Sequence, residues 1–432
     1  DGTLRIVPPS NGGAGVGQGG SADQRRRGGV HYTPEGLVDE LVGPAMGALY
    51  AHAWTRAEGD LRAYGAALRA LRVVDPAMGG GHFLVAAAAD LALELAWIAV
   101  TGGPRPADQH ERLTPPATPP NAALARDLAA SQRALLPEVI ATCCYGVDVD
   151  PLAWVTAEAA LWLAAVTARP GAELAPATPA GALRGHLQRH LHCGDALIGL
   201  DAAGAVQALV SRLGLPQTAV HAALRPGRDV HRTPQRWPFD LAVLVELLGV
   251  RPSGKGQGEL RDLLAQALPP AQRPAALLSW SALFSGREAP TKALRKAIVH
   301  VARHAPLAAG RPLRPLHPTL AFAPVLGSAR RGFDALLANP PFVGDRDLGR
   351  RLGPRLVVWL RRQHTARANR AGGTPDLAGF FTLRYDDLLA PTAAIAATLA
   401  PNTLAQGRNR KAVLATLAGP SGPFRIVRAD PD

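Results

Sequence analysis

Across residues 71–200, and again from 333, short apolar runs end at an Asp, a Gly or an Asn-Pro corner and give way to apolar positions at helical spacing. Strands covered on both faces read as continuous apolar runs, whereas packed helices repeat every three or four residues, so the alternation predicts strands and helices of a parallel sheet. The predicted strands are LRVV before Asp75, CYGV before Asp148, RHLHC before Gly194, FDALLA before Asn339 and TAAIAATL near residue 392. The expected fold class is α/β, a mostly parallel central sheet with helices on both faces and a helical insertion.

Two stretches interrupt the alternation. Residues 101–137 open as a Pro-rich loop (GGPRPADQHERLTPPATPP) and continue as a helix (AALARDLAASQRALL), while 200–332 are mainly helical by period with Pro/Gly breaks. Residues 1–29, with NGGAGVGQGG and then Arg25, Arg26 and Arg27, are too polar and glycine-rich to pack and read as a flexible leader. The division is therefore a leader at 1–29, a first part of the α/β domain at 30–199, the insertion at 200–332 and a second part of that domain at 333–432. The chain starts with Asp rather than Met and reads as a fragment.

Composition adds little to the fold and something to the partner. With 47% apolar and 19% charged residues the chain can build a large core. A net charge of +13 and a pI near 10.6 point to a polyanion. That argument is weakened because all but four of the 47 cations are Arg, a bias that GC-rich coding also produces. Cys143, Cys144 and Cys193 make neither a disulfide framework nor a C-x-x-C metal pair, which suits a cytoplasmic protein. The longest apolar stretch, 84–100, carries Asp90 and Glu94, so no membrane anchor is expected, and no signal peptide is seen.

The chemistry gathers at the strand ends. In LRVVDPAMGGGHFL a buried strand meets an Asp75-Pro76 corner, three glycines and a helix. Glycines allow positive φ and close approach of a ligand, and the helix presents unpaired amides and the positive end of its dipole. The segment suits a nucleotide-like cofactor, or is a tight turn. In YGVDVDP, Asp148 stands where a carboxylate can accept both ribose hydroxyls, while Asp150-Pro151 reads as a helix cap followed by a first-turn proline. HCGDAL places Asp195 at a third strand end. In ANPPF, two prolines fix the backbone and hold carbonyls outward, Asn339 offers an amide acceptor and Phe342 a flat apolar face. Such a corner can take both protons of an exocyclic amine, or is a plain stop after a strand.

HYTP (31–34), DPAMGGGHFL (75–84), GVDVDP (146–151), GDAL (194–197) and NPPF (339–342), in this order, resemble the S-adenosylmethionine-dependent N6-adenine DNA methyltransferases. Within them the set is most similar to the type IIG restriction-modification and phage-exclusion enzymes, to which PDLAGFFTLRYDDLL and PNTLAQGRNRKAVL also correspond. The resemblance covers about 28–417. It implies a Rossmann-like class I methyltransferase fold, S-adenosylmethionine as cofactor and double-stranded DNA as substrate. Tyr32 and Thr33 would touch the methionine end; Asp75, Pro76, Ala77, Gly79, Gly81 and Phe83 would cradle the cofactor; Asp148 would take the ribose, and Asp195 with Ala196 would border the cofactor adenine. Asn339, Pro340, Pro341 and Phe342 would hold the target base, which must leave the duplex stack to be reached. No metal is implied. Gly80 and Ala338 depart from frequent Ser and Gly in tolerant positions. After about residue 420 no target-recognition domain is recognisable, nor is a nuclease motif, so the chain reads as a methyltransferase core, with subunits of a restriction or phage-defence system as expected partners.

Other candidates are weaker. GVRPSGKG (249–256) has a phosphate-loop outline, but Gly256 stands where Ser or Thr would hold magnesium, and a helical pattern precedes it. His186, His190, His192 and Cys193 lack the geometry of a zinc set. The Arg pairs 350–351 and 361–362, with Arg367 and Arg370, either meet phosphate or lie on a solvated helix face. The rival functions are a protein-glutamine or ribosomal RNA methyltransferase, and a non-catalytic DNA-binding subunit that keeps the fold.

Overall fold

The apolar runs become short strands and the periodic stretches between them become helices. The computed structural model describes residues 2–7, 33–110, 122–167, 180–215, 217–224, 236–251, 254–274, 291–304, 313–328, 332–365, 375–419 and 422–429. In chain order the main elements are β1 (Gly2–Val7), α1 (Glu35–Arg56), α2 (Leu61–Arg69), β2 (Val73–Asp75), α3 (His82–Thr101), α4 (Ala122–Cys143), β3 (Cys144–Asp148), α5 (Pro151–Thr167), α6 (Ala180–His190) and β4 (Leu191–Cys193). There follow α7 (Ala202–Leu213), α8 (Gln217–Leu224), α9 (Trp237–Leu248), α10 (Lys255–Gln266), α11 (Lys292–His304), β5 (Ala335–Ala338), α12 (Asp345–Leu352), α13 (Pro354–Thr365), α14 (Leu377–Leu388), β6 (Ile395–Leu399) and β7 (Phe424–Ala429). Two units emerge: Asp1–Cys193, Ser328–Val343 and Ala371–Asp432 form the first, and Gly194–Gly327 with Gly344–Arg370 the second.

The first unit holds the sheet. Its order is β4-β3-β2-β5-β6-β1-β7, and every pairing is parallel. From β2 the chain winds outward through β3 to β4, then returns to the other side of β2 with β5 and β6. The winding therefore reverses between β2 and β5, which makes their carboxyl ends the switch point where open α/β sheets bind ligands. Both sheet faces are covered. Ala335, Leu337, Ile395, Ala397 and Leu399 join a core with Leu41, Met46, Leu84, Leu91 and Leu161. Alternate residues face the opposite side, where Tyr385 of α14 donates a hydrogen bond to Thr398 Oγ1 (3.0 Å).

The α3 helix is 20 residues long, and by length and mean hydropathy (2.0) it is apolar enough to cross a membrane. Here it is a core helix whose two acids are matched. Arg105 reaches Asp90 (2.8 Å) and Glu94 (3.2 Å), Tyr50 donates to Asp90 (2.9 Å) and Tyr64 to Glu94 (2.8 Å). His110 adds a 3.1 Å contact to Glu94. The polar cluster ties α1, α2 and the residues after α3 to one helix face, because Asp90 and Glu94 are four residues apart.

In the second unit α9 is buried almost throughout, and α7, α10, α11 and α13 pack on it. Its Asp240 is fully buried, accepting from Arg236 (2.8 and 3.1 Å) and from His317 Nε2 (3.0 Å). Leu200 N–H donates to His317 Nδ1 (3.3 Å), which leaves the proton of a neutral imidazole on Nε2, facing Asp240.

Several expectations need correction. Residues 2–7 of the expected leader form β1, where Thr3, Ile6 and Val7 suit a strand; residues 8–32 lie outside the described residues. The helical insertion begins at 194 rather than 200 and also takes in 344–370, so 333–432 is not one continuous piece of the first unit. Arg189 and His190, expected in a strand, end α6 instead, and β4 is only Leu191–Cys193.

Candidate active site

At the end of β2, Asp75 is completely buried. Its Oδ1 accepts the Ala77 N–H (2.9 Å), while Oδ2 is enclosed with no hydrogen-bond partner. Burial raises its pKa well above the ordinary carboxylate value; the Asp148 charge adds to the rise and the Ala77 amide opposes it. The chain then turns through the three glycines. Gly79 and Gly81 take φ of 51° and 84°, a left-handed backbone that only glycine adopts without strain. Around a Cβ placed on Gly79 nothing lies within 4 Å, whereas one on Gly81 would meet Ala157 at 3.2 Å. The loop is thus open at Gly79, while a Cβ on Gly80 would meet the His82 ring at 3.1 Å and Gly81 is closely packed on α5.

Two bonds fasten this loop to β3. Met78 N–H donates to Val147 O (2.9 Å) and Gly79 N–H to Asp148 Oδ2 (2.9 Å). Asp148 Oδ1 accepts from Asp150 N–H (2.8 Å), so both oxygens are engaged in shaping the loops. The Val149 amide also bonds this carboxylate, which with about four acceptor positions in all keeps about one for a ligand. Burial raises the Asp148 pKa despite these amides. Asp150 accepts the Leu152 N–H (2.9 Å), the capping role read from DP. Gly81 stands at the α3 N-cap and supplies no side-chain acceptor, so the first amides of α3 have no side-chain cap. Phe83 packs into the core at 3% exposure and offers the loop only its backbone.

Across the switch point, β5 pairs with β2 through Val73 with Ala335 and Val74 with Leu336. That register sets Asn339, just past β5, at the same sheet edge as Asp75. Asn339 Nδ2 donates to the hydroxyl of buried Thr33 (3.0 Å), bridging 306 residues of sequence. Its Oδ1 is thereby left as the acceptor directed elsewhere. Pro340 is buried, Pro341 and Phe342 are half-buried. Val343 O accepts the Leu377 N–H (3.0 Å), which anchors the corner to the start of α14.

The first unit thus brings together Thr33, Asp75, the 79–81 loop, Asp148 and the 339–342 corner. Asp195 and Ala196 fall in the second unit, where Asp195 Oδ1 accepts the Leu197 N–H (2.9 Å) and its own N–H donates to Arg314 O (2.8 Å). They directly follow β4, whose Cys193 pairs with Asp148, so the strand-end position read from the sequence stands. Tyr32 lies outside the described residues.

Sequence reasoning missed two supports. Asp376 caps α14 through the Gly379 N–H (2.7 Å) and accepts from Asn409 (2.8 Å) and Thr403 (3.1 Å), holding the segment after β6 beside the NPPF anchor. The Pro-Asp before an apolar helix was the available signal. Tyr385, fully buried, has its phenol pKa raised by burial, with the Asp75 charge contributing.

Elsewhere, His190 stacks on Tyr145 (centroids 4.0 Å apart) and burial pushes its pKa down to about 3. No metal-type cluster of His, Cys, Asp or Glu exists among the described residues. A cleft of about 320 Å³ in the second unit, lined by Leu248, Pro354, Arg355, Val358 and Trp359 among others, contains none of the predicted site residues. Protein-family models give no match to this chain, and neither do curated proteins.

Proposed function

We propose that the first unit is a class I methyltransferase that uses S-adenosylmethionine to methylate the N6 amine of an adenine flipped out of double-stranded DNA, in a restriction or phage-defence system. One observation carries the reading: the buried Asp75 glycine corner and the Asn339 corner meet at a single switch point of a parallel sheet. The resemblance of the ordered motifs supports the substrate.

The residues fit a cationic nucleotide-like cofactor. Asp75 Oδ2 is a buried acceptor without a donor, Asp148 retains acceptor capacity for a hydroxyl, and the 79–81 loop is open for close approach at Gly79. When bound, S-adenosylmethionine supplies an electrophilic methyl group. Asp75 binds positive charge and Asp148 the ribose. Asn339 Oδ1 and the Pro340 carbonyl accept the two amine protons of the target, so the nitrogen lone pair is drawn out of the ring and becomes nucleophilic. Phe342 stacks on the base, and fixed alignment supplies most of the remaining acceleration.

The test is nucleoside mass spectrometry on DNA from a methylation-free bacterial host that expresses the chain, beside an Asn339→Ala control. N6-methyladenine only with the unsubstituted chain is the expected result. Its absence, with S-adenosylmethionine still bound by the purified protein, would redirect the reading to RNA or protein substrates.

A further inference from the structure

Helix α11 is KALRKAIVHVARH, without an acidic residue. Leu294, Ala297, Ile298, Val301 and Ala302 are buried, and the helix packs on α9 and α10. Its exposed positions are Lys292, Lys296, His300, Arg303 and His304. Every large side chain on that face is a cation or an imidazole, and two of the chain's four lysines are among them.

This arrangement works against the helix itself. Lys292 and Arg295 lie in the first turn, at the positive end of the dipole, and Lys292 and Lys296 are like charges at i and i+4. Neither lysine has an ion-pair partner among the described residues. A merely solvated face interleaves acids with bases; this one leaves the repulsion standing, which an external polyanion would relieve.

We propose that the exposed face of α11 binds the phosphate backbone of duplex nucleic acid. The row from 292 to 304 runs about 18 Å along the helix axis, enough to follow a nucleic-acid strand for about five base pairs. Its apolar face is committed to the core, so it cannot lie in a bilayer as an amphipathic helix does. It exposes no aromatic or aliphatic anchor of the sort that centres a protein interface. A charged backbone needs neither. The choice of polyanion rests on the DNA-methylation reading, while the surface rests on the helix alone.

The experiment is fluorescence anisotropy of a labelled 20-base-pair duplex with the full chain, the Lys292→Gln/Lys296→Gln variant and a charge-matched Arg56→Gln/Arg62→Gln control, from 50 to 200 mM salt. The lysine variant should show a salt slope smaller by about 2, so that across this range it loses about 12-fold less affinity than the parent. The control should keep the parent slope. Thermal unfolding should place the lysine variant at or above the parent, since it loses a repulsive pair. Equal slopes in all three proteins, equal loss in both variants, no duplex binding by the parent, or stronger competition by polyglutamate than by unlabelled duplex would each overturn the assignment. Calorimetric titration with S-adenosylmethionine separates the two ideas: failure to bind it defeats the methyl-transfer reading and leaves the α11 result standing.

Discussion

Asp75 occupies an environment that its own fold does not satisfy. Its folded pKa is raised above 3.8, so the native chain holds the proton over an interval where the unfolded chain releases it. Its stability contribution is therefore fully present below about pH 3.8 and is lost as pH rises through the folded value. Asp75→Asn should raise the unfolding midpoint at pH 7 by an amount corresponding to about 1–3 kcal/mol, with the gap closing in acid. The same variant should lose cofactor affinity. A lower midpoint at pH 7 would show that the carboxylate is satisfied after all. Asn339→Ala should cut methyl transfer by about 10²–10³-fold and leave S-adenosylmethionine affinity unchanged by calorimetry. These residues were legible because few chemistries put Asp-Pro before three glycines or Asn before two prolines. The Thr33 contact to Asn339 was not, since no local pattern links residues 306 apart. The double engagement of Asp148 also depends on loop geometry that spacing alone does not reveal.

At the scale of elements, strand ends and one helix cap were read. Asp150 accepts an amide at the start of α5 as expected, while Asp60 and Asp376 cap α2 and α14 without having been read as caps. Gly81→Ala should destabilise the unit by about 1–2 kcal/mol in urea titration, because a Cβ is strained at positive φ and would press on Ala157. The charges on α3 were read only as an obstacle to membrane insertion, and the structure gives them a partner in Arg105. Arg105→Met should cost about 3–5 kcal/mol by leaving Asp90 and Glu94 buried without their cation. Adding Asp90→Asn and Glu94→Gln to it should recover most of that loss. The strand β1 was unreadable for a different reason: its sequence leads into a proline- and glycine-rich stretch far from the strand-helix alternation, so only its partners in the sheet mark it as a strand.

Across the whole molecule, the parallel alternation of strands and helices was legible, but the order of the strands and the unit boundary were not. Residues 344–370 resume a helical pattern directly after NPPF, and periodicity cannot say with which core a helix packs. The far edge of the sheet yields a prediction. Among the described strands β7 pairs only with β1, so removing residues 2–7 should leave β7 amides open to hydrogen exchange while S-adenosylmethionine affinity is kept. Protected β7 amides in the truncated chain would show that the strand is held by other means.

The place of β1 between β6 and β7 also sets a timetable. Thr3 aligns with Ile395, so the ribosome must add nearly four hundred residues before the first strand meets its partner. At 5–20 residues per second that is a wait of about 20–80 s. For all that time the nascent chain carries an unpaired strand with both backbone edges open, a template for strand addition by any neighbouring polypeptide. The sheet cannot be completed until β6 and β7 have been made, and it is their arrival that releases β1 from its exposure.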